Sequence, residues 1–532
     1  MKVIVTDEIS EQGLMLLKAD PRLQLDVRLG LTKAELSAVI GQYDAIITRS
    51  GTQVDAKLLS TASRLKIIAR AGVGIDNVDV PAASERGIIV VNAPFGNTNS
   101  AAEHTMAILL ALCRNVPDAN MSLKSGAWQR APFTGHELRH KTMGIIGLGK
   151  VGSRVALRAK AFEMEVIVYD PYISEKRASD FGTRLVDLQT LVATADVISV
   201  HTPLNDETEN LIHQDHFELM KQGVLIVNCA RGGIINEQAM LAALDNGKVG
   251  GGAFDVWSGE PPQTEILKKL IAHPKMLVTP HLGANTFEAQ TNVAVDVSRE
   301  ILNLIDGKPI ENAVNIPRFD ADLMSQMRPF MTLAEVLGDF ISQLAPENPG
   351  KVSFHYTGKL ADHDCMPITV AGLAALLNRC TDQEVNMVNA SLVAERHGLV
   401  VEQSRSTESE FFSNLITLDL ESPEGKRTIA GTLFEGMPKI VKMRDFATDF
   451  TPEEHMLVMT YEDRPGLIGK IGTILGDAGV NIGAMNLGRR AKGGEAMVVF
   501  SVDTPVDELT LTSLSDSVGC HFIKAVNLTL PR

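Results

Sequence analysis

A glycine-rich loop is the first feature of the sequence whose spacing predicts chemistry. It runs Gly147-Leu148-Gly149-Lys150-Val151-Gly152, directly after an apolar run predicted as a strand and before a predicted helix. In that context a GxGxxG pattern predicts a dinucleotide site, because its glycines permit a tight turn and the helix N-terminus faces the pyrophosphate. A glycine turn that binds no nucleotide is the alternative.

Asp170 adds to this prediction. It lies at the end of the apolar run EVIVYD, 23 residues after Gly147. An acidic side chain at that place binds the ribose hydroxyls and repels a 2′-phosphate. The sequence therefore favours NAD over NADP as the cofactor.

Three further polar residues each follow a predicted strand. Arg231 lies in NCARGG, Glu260 in SGEPP and His281 in TPHLGA. Hydride transfer to or from a 2-hydroxy acid needs a carboxylate clamp, a group that moves the hydroxyl proton, and a partner that orients that group. Arginine, histidine and glutamate suit these three tasks, although each residue alone could equally be structural. Together, at successive carboxyl ends of strands, they are predicted to be the catalytic set.

Two more arginines point to an anionic substrate. Arg49, in TRSGT with Ser50 and Gly51, and Arg70, in ARAGVG, each end a predicted strand of the first hundred residues. A multiply charged substrate needs several cations on an acidic protein. We therefore predict that these residues bind substrate opposite Arg231. Interdomain salt bridges are the alternative for both arginines.

These residues require strands that meet at one edge. Apolar runs alternate with helical segments through residues 1–98 and again from 142 onward, which predicts two doubly wound parallel sheets, one in each of two lobes. A helix from about Ser100, capped by Ser100 with Glu103 as its partner, is predicted between the lobes. A helix over 286–307 is predicted to return to the first lobe. The fold class is α/β in this body, with a flavodoxin-like first lobe and a Rossmann second lobe.

The composition changes after Pro317. Residues 317–330 are predicted to form a linker and 330–345 a helix, before an α+β unit with two helices and several strands. From Glu454 the order of predicted elements is βαββαβ, which is ferredoxin-like. We place the domain boundaries at 1–98 with 283–312, 99–282, 313–450 and 451–532.

Composition and charge limit the class of protein. The chain has 532 residues, 45% of them hydrophobic, and a net charge of −15. That acidity disfavours nucleic acids and anionic membranes as partners. The five cysteines are scattered, which predicts a reducing, cytoplasmic setting without a metal cluster. No apolar run approaches the length of a membrane span, and the N-terminus has no apolar signal-peptide core.

Over about residues 1–312, the sequence resembles the D-isomer-specific 2-hydroxyacid dehydrogenase family. The motifs that carry this resemblance are, in chain order, GLGKVG, Asp170, VHTPL, NCARGG, the segment 255–262 and PHLGA. The resemblance implies that Arg231 binds the substrate carboxylate, Glu260 orients His281, and His281 exchanges the proton. It also implies substrate contact by Asn97. The implied NAD contacts outside the glycines and Asp170 are Lys150, Val151, Thr202, Cys229, Ala230, Asp255, Gly283 and Ala284.

The C-terminal units extend the resemblance. Residues 313–450 resemble the intervening domain of the long members of this family that act on 3-phospho-D-glycerate, and TYEDRPGLIGKIGTILGDAGVNI resembles an ACT domain. Oxidation of 3-phospho-D-glycerate to 3-phosphooxypyruvate, the first step of serine synthesis, is therefore the expected reaction. L-serine is the expected inhibitor, and a homo-oligomer, a dimer of dimers, is the expected assembly.

Asp463 and Asn481 are the predicted effector ligands, with a helix cap as the alternative for Asp463. Two other functions stay open at this point. One is a reductase of the same family that acts on hydroxypyruvate or glyoxylate. The other is a non-catalytic protein that senses NAD.

Overall fold

The computed structural model describes residues 1–316, 321–344, 349–408, 411–423 and 425–530. Four sheets with their helices account for these ranges. The first two are entirely parallel, and the last is entirely antiparallel. The predicted fold class, two parallel α/β lobes followed by an α+β unit and a ferredoxin-like unit, is confirmed.

The first lobe is a five-stranded sheet in the order β2-β1-β3-β4-β5. Val3, Ala45 and Ile67 face one helical layer, and their neighbours Ile4, Ile46 and Ile68 face the other. Burial of both faces explains why these strands are continuous apolar runs. The strands are β1 (Lys2–Val5), β2 (Gln24–Val27), β3 (Ala45–Thr48), β4 (Ile67–Arg70) and β5 (Ile89–Val91), and the helices are α1 (Glu11–Lys18), α2 (Lys33–Val39), α3 (Ala56–Thr61) and α4 (Val80–Glu85).

Helix α5 (Thr98–Cys113) leads into the second lobe. Asn97, not Ser100, precedes its first turn, so the predicted capping box was wrong. The Ser100 hydroxyl instead donates to the carbonyl of Gly283 at 2.7 Å, and Glu103 pairs with Arg158. Both side chains thus contact residues far along the chain, a use that local sequence does not reveal.

The second lobe is a seven-stranded sheet in the order β12-β11-β10-β9-β6-β7-β8. The two-residue strand β8 at its edge was not predicted. The strands are β6 (Thr142–Ile146), β7 (Glu165–Tyr169), β8 (Arg184–Leu185), β9 (Val197–Val200), β10 (Val224–Asn228), β11 (Val249–Phe254) and β12 (Met276–Val278), and the helices are α6 (Val116–Lys124), α7 (Lys150–Ala161), α8 (Glu175–Asp180), α9 (Leu188–Thr194), α10 (Gln214–Leu219), α11 (Glu237–Asp245) and α12 (Glu265–Ala272).

Helix α13 (Phe287–Ile305) returns to the first lobe, as predicted. It packs against α1, and its Val293, Val297 and Ile301 complete one core of the first sheet. The first lobe is therefore built from two separate stretches of chain.

Helix α14 (Ala321–Leu344) corrects the predicted linker. Residues 317–320 lie outside the described ranges, but 321–330 are helical and the helix continues through Pro329. Met327 and Met331 lie one turn apart on a buried face, and this packing outweighs the cost of the proline. At Gly338 the helix crosses α15 (Met366–Cys380) so closely that a Cβ would lie 2.2 Å from the Gly372 carbonyl.

The third and fourth sheets share a core. Met456, Val458 and Val499, from one face of the last sheet, join the cluster of Ile341 and Met443. The third sheet comprises β13 (Lys351–Gly358), β14 (Val400–Ser406), β15 (Asn414–Ser422), β16 (Gly425–Phe434), β17 (Met437–Met443) and β18 (Phe446–Phe450), with α16 (Ala390–Arg396) beside it; the fourth comprises β19 (His455–Glu462), β20 (Ile482–Arg489), β21 (Glu495–Val502) and β22 (Phe522–Asn527), with α17 (Leu467–Asp477) and α18 (Glu508–Val518).

Candidate active site

The glycine loop forms the turn between β6 and α7, as its spacing predicts. Gly147 has a φ of +90° and its N–H donates to the Tyr169 carbonyl. A Cβ on Gly152 would lie 2.0 Å from the Gly147 carbonyl, so this position requires glycine for the helix to approach the strand. A Cβ on Gly149 would meet nothing within 4 Å. The open side of the loop is therefore above Gly149, where a pyrophosphate would lie.

Asp170 lies beside this loop at the end of β7. Its carboxylate accepts the N–H groups of Leu148 at 2.9 Å and Tyr172 at 3.0 Å. The amino group of Lys150 contacts the Pro94 carbonyl and lies over the Phe95 ring, so it bridges the two lobes. Val151 packs on the apolar core below the loop.

Thr202 follows β9 and Cys229 follows β10. In the described part of the chain, the buried Thr202 hydroxyl oxygen has no hydrogen-bond partner. Burial raises the pKa of Cys229 to about 12, so this thiol is neutral and inert. The open loop, the unpartnered hydroxyl and the acidic residue after β7 all suit a dinucleotide.

Asp255 has a role that the sequence did not indicate. Its buried carboxylate accepts hydrogen bonds from the Thr279 hydroxyl at 2.5 Å and from the Leu282 and Gly283 N–H groups at 2.7 and 2.8 Å. His104 lies 3.2 Å away on α5. Burial alone would raise the pKa of Asp255, but the hydrogen bonds from His104 and Thr279 lower it. Asp255 thus stays ionised and holds the turn that carries His281, Gly283 and Ala284.

The histidine and glutamate meet as predicted. Nδ1 of His281 lies 2.7 Å from Oε2 of Glu260, and Oε1 of Glu260 accepts the Trp257 N–H at 3.2 Å. His281 has a φ of +56°, a strained backbone that is held by its N–H donation to the Asp255 carbonyl. The hydrogen bond to Glu260 raises the pKa of His281 above its ordinary value, against the effect of burial. The other ring nitrogen, Nε2, has no hydrogen-bond or ion-pair partner in the described ranges.

Arg231 lies after β10, on the same edge of the sheet. Its Nη1 donates to the Ala230 carbonyl at 2.7 Å, and its Nε lies 3.4 Å from the Asp76 carboxylate of the first lobe. The two lobes therefore meet at this arginine.

Arg70 and Arg49 lie on the first lobe opposite Arg231. Desolvation and the positive charge of Arg231 together lower the pKa of Arg70 to about 10. Arg70 donates to the Ser50 hydroxyl at 3.2 Å, and its buried Nε has no partner in the described ranges. Among the described residues, the Arg49 side chain donates only to the Glu8 carbonyl. Neither arginine forms an ion pair with a described residue, so the salt-bridge alternative is not observed.

Two smaller predicted residues complete this side of the cleft. A Cβ on Gly51 would lie 2.6 Å from the Asp7 carboxylate, which fixes the Arg49 loop by accepting the Arg49 and Thr52 N–H groups. Asn97 precedes α5 without capping it through its side chain. Its amide is therefore not used by the helix.

The two predicted effector residues are not brought together in one copy. Asp463 contacts Arg489 at 3.2 Å, near the end of β20, whereas Asn481 donates to Asp503 at 2.8 Å, just before β20 begins. The eight residues of β20 separate Asp463 and its partner Arg489 at one end from Asn481 at the other, a strand length of roughly 25 Å. Asp463 is not a helix cap, because α17 begins after Gly466, so that alternative was wrong.

The described ranges contain no group of three or more His, Cys, Asp or Glu side chains that could hold a metal ion. None of the described helices is both long and apolar enough to cross a membrane.

Comparison with known proteins agrees with this geometry. Residues 106–283 match the D-isomer specific 2-hydroxyacid dehydrogenase NAD binding domain, residues 326–444 the D-3-phosphoglycerate dehydrogenase intervening domain, and residues 455–518 the ACT domain. D-3-phosphoglycerate dehydrogenase of Synechocystis is 41% identical over 99% of this chain and 95% of its own length. The chain belongs to the D-3-phosphoglycerate dehydrogenase family.

Other relatives support the same assignment. The family member from Archaeoglobus fulgidus is 42% identical over 95% of this chain and 96% of its own length. A crystal structure of D-lactate dehydrogenase from Aquifex aeolicus, complexed with NAD and lactic acid, covers 59% of this chain and 99% of that chain, with a TM-score of 0.53 and 27% identity. As a family member, this chain is an NAD-dependent dehydrogenase.

Sequence reasoning missed the residues that support the predicted set. Asp76, His104 and Asp7 each contact a predicted site residue, but none belongs to a motif that we considered. A signal existed only for Asp76, which lies six residues after Arg70 in a glycine-rich loop at a strand end.

Proposed function

We propose that this protein oxidises 3-phospho-D-glycerate to 3-phosphooxypyruvate with NAD. Three cationic side chains from two lobes, Arg49, Arg70 and Arg231, face one cleft, and this is the observation that carries the proposal. A substrate with a carboxylate and a phosphate offers opposite charge to both sides of that cleft. A simple 2-hydroxy acid has one anionic group and needs only Arg231.

The roles of the residues follow from their positions. Arg231 binds the carboxylate, and Arg49 and Arg70, with Ser50 and Gly51 beside them, bind the phosphate. Asn97, directly before α5, contacts the substrate.

His281 removes the hydroxyl proton through Nε2, because Nδ1 is occupied by Glu260. Glu260 stabilises the imidazolium that forms. NAD, held by the glycine loop and Asp170, supplies the hydride acceptor when bound.

His281→Gln tests the catalytic role. We expect the variant to lose about a thousand-fold or more in kcat for NADH formation from 3-phospho-D-glycerate, because no other described group replaces the base. Its affinity for NAD, measured by isothermal titration calorimetry, should stay that of the wild type.

A protein that only senses NAD would show no turnover in either form. A wild type that turns over hydroxypyruvate or glyoxylate but not 3-phospho-D-glycerate would contradict the substrate assignment.

L-serine is the proposed effector, bound between two copies of the ACT domain. Asp463 of one copy and Asn481 of the partner subunit would bind its amino and carboxylate groups, because an antiparallel pairing places opposite ends of β20 together. A carboxylate on an ammonium group and an amide on a carboxylate are complementary pairs.

Asp463→Asn tests the effector site. Removal of the carboxylate should raise the serine concentration for half inhibition about ten-fold or more while kcat changes little, since Asp463 is remote from the cleft. Asp516→Asn, which removes an exposed charge from α18 of the same domain, is the matched control. Equal serine sensitivity in Asp463→Asn and the control would exclude Asp463 from the site.

A homo-oligomer, a dimer of dimers in the cytoplasm, is part of the proposal. Its support is the exposed apolar side chains on and after α6: Met121 is 68% exposed, Leu123 57% and Trp128 80%. Apolar side chains clustered on a surface in this way are typical of subunit interfaces.

A further inference from the structure

A carboxylate of the first lobe contacts the substrate-binding arginine of the second. Asp76 lies in the loop after β4, and its Oδ2 is 3.4 Å from Nε of Arg231. The Asp76 side chain is 72% exposed and that of Arg231 is 29% exposed. The pair is therefore a contact across the cleft that the solvent reaches.

Gly74, which lies close to both side chains in space, permits the contact between Asp76 and Arg231. A Cβ on Gly74 would lie 2.2 Å from Nη2 of Arg231 and 2.8 Å from Oδ2 of Asp76. Any larger residue would separate the acid from the guanidinium. The loop is thus shaped around the pair.

The rest of the guanidinium is held from its own lobe. Nη1 donates to the Ala230 carbonyl at 2.7 Å, and the Arg231 carbonyl accepts the Asn228 side-chain amide at 2.9 Å. With Nε beside Asp76, the group is restrained at two of its three nitrogens. A bidentate carboxylate requires that the plane of the guanidinium be fixed.

We propose that Asp76 is a positioning residue, which holds Arg231 from the opposite lobe so that its Nη nitrogens face the substrate carboxylate. The proposal rests on the function proposed above only in its need for a substrate carboxylate at Arg231. Because the acid and the arginine belong to different lobes, the correct orientation of Arg231 depends on the distance between the lobes. Substrate binding and lobe closure are then linked through this pair.

If Asp76 instead competed with the substrate for Arg231, its removal would change KM in the opposite direction. If the Asp76 carboxylate occupied the place of the substrate carboxylate, removal of its charge would strengthen substrate binding. The direction of the change in KM therefore separates a positioning residue from a competitor.

Asp76→Asn is the test. We expect its KM for 3-phospho-D-glycerate to rise about ten-fold with kcat changed less than about three-fold, because the loss concerns orientation of a binding group and not proton transfer. The Kd for NAD and the melting temperature should equal those of the wild type, since the side chain is exposed and belongs to the first lobe, whereas the glycine loop belongs to the second. Asp76→Glu, which keeps the charge, should recover at least half of the loss in KM on a logarithmic scale.

Glu11→Gln is the control for net charge. It removes a 65% exposed carboxylate of the same lobe whose partner, Lys18, lies on the same helix. An unchanged or lower KM in Asp76→Asn, a KM in Asp76→Glu as high as in Asp76→Asn, or the same rise in Glu11→Gln would each overturn the proposal.

The failure of this proposal and that of the proposed function are distinguishable. If the wild type does not turn over 3-phospho-D-glycerate, the substrate assignment fails, and the variants are compared by titration with oxalate in the presence of NAD. Oxalate presents a carboxylate without a phosphate. Weaker oxalate binding in Asp76→Asn than in Glu11→Gln supports the positioning role, and equal or tighter binding overturns it.

Discussion

In the proposed mechanism, His281 and Glu260 determine how the rate depends on pH. The glutamate raises the pKa of the imidazole, so His281 stays protonated at pH values where an ordinary histidine, with a pKa near 6.5, has begun to lose its proton. Oxidation needs the neutral ring as a base. The rate of oxidation should therefore rise with pH on a limb that lies above the ordinary value, and the reverse reaction should show the opposite dependence.

Glu260→Gln should move that limb. Loss of the carboxylate removes the main cause of the raised pKa, so the acid limb of kcat/KM for oxidation shifts to lower pH. We also expect kcat to fall about ten- to hundred-fold, because the imidazolium loses its charged partner. A pH–rate profile of both forms checks the prediction. A limb at the same pH in the variant would show that Glu260 does not control the titration of His281.

The proximity of the proposed catalytic residues could be predicted because each follows a strand that the sequence marks clearly. Arg231, Glu260 and His281 lie at successive strand ends, and parallel strands bring those ends to one edge. Asp76 and His104 could not be predicted in the same way. Their partners are far along the chain or on another lobe, and the sequence contains no record of which loops face each other.

At the scale of elements, the turn between β6 and α7 shows two different demands for glycine. Gly152 is packed against the chain, whereas Gly149 faces open space. A methyl group at these two positions should therefore have different consequences.

Gly152→Ala should destabilise the second lobe. Its Cβ would lie 2.0 Å from the Gly147 carbonyl, so α7 must move away from β6, and we expect the melting temperature to fall by several degrees together with loss of NAD affinity. Gly149→Ala should keep the wild-type melting temperature but weaken NAD binding, because its methyl group enters the space of the pyrophosphate. Thermal unfolding and NAD titration of both variants check this. Equal melting temperatures of the two variants would show that the loop accommodates a methyl group at residue 152.

Helix α14 shows where element prediction failed. The change of composition after Pro317 indicated a linker over 317–330, whereas the helix begins at Ala321. The buried Met327 and Met331 were the signal that was missed, because they lie at helical spacing on each side of Pro329. Here tertiary packing stabilises a helix although the local sequence around Pro329 disfavours one.

At the scale of the whole molecule, the third and fourth sheets behave as one folding unit. The runs MLVMTY in β19 and AMVVF in β21 are almost continuously apolar and do not alternate with polar residues. This pattern indicates that both faces of the sheet are covered. One face packs on α17 and α18, and the other on the core of the third sheet. Side-chain contacts reinforce this: Asp339 and Gln343 of α14 bind the backbone of Thr529 and Asn527.

A chain that ends at residue 450 should therefore fold poorly. Ile341 of α14, Met443 of the third sheet and their neighbours would be exposed, and we expect strong binding of an apolar fluorescent dye and loss of a cooperative thermal transition for this unit. A chain that ends at Ile316 keeps both α/β cores and should unfold cooperatively without dye binding. Cooperative unfolding of the 450-residue chain, with no dye bound, would mean that the shared core is not required.

The return of α13 to the first lobe has a consequence for how the protein is made. The last strand of that lobe ends at Val91, but Val293, Val297 and Ile301, which cover one side of its sheet, are made more than 200 residues later. At about 5–20 residues per second, a ribosome needs roughly 10–40 s to synthesise the chain between them. Throughout that interval the nascent first lobe carries a partly uncovered apolar surface, so we expect chaperones to bind the polypeptide during this stretch of translation.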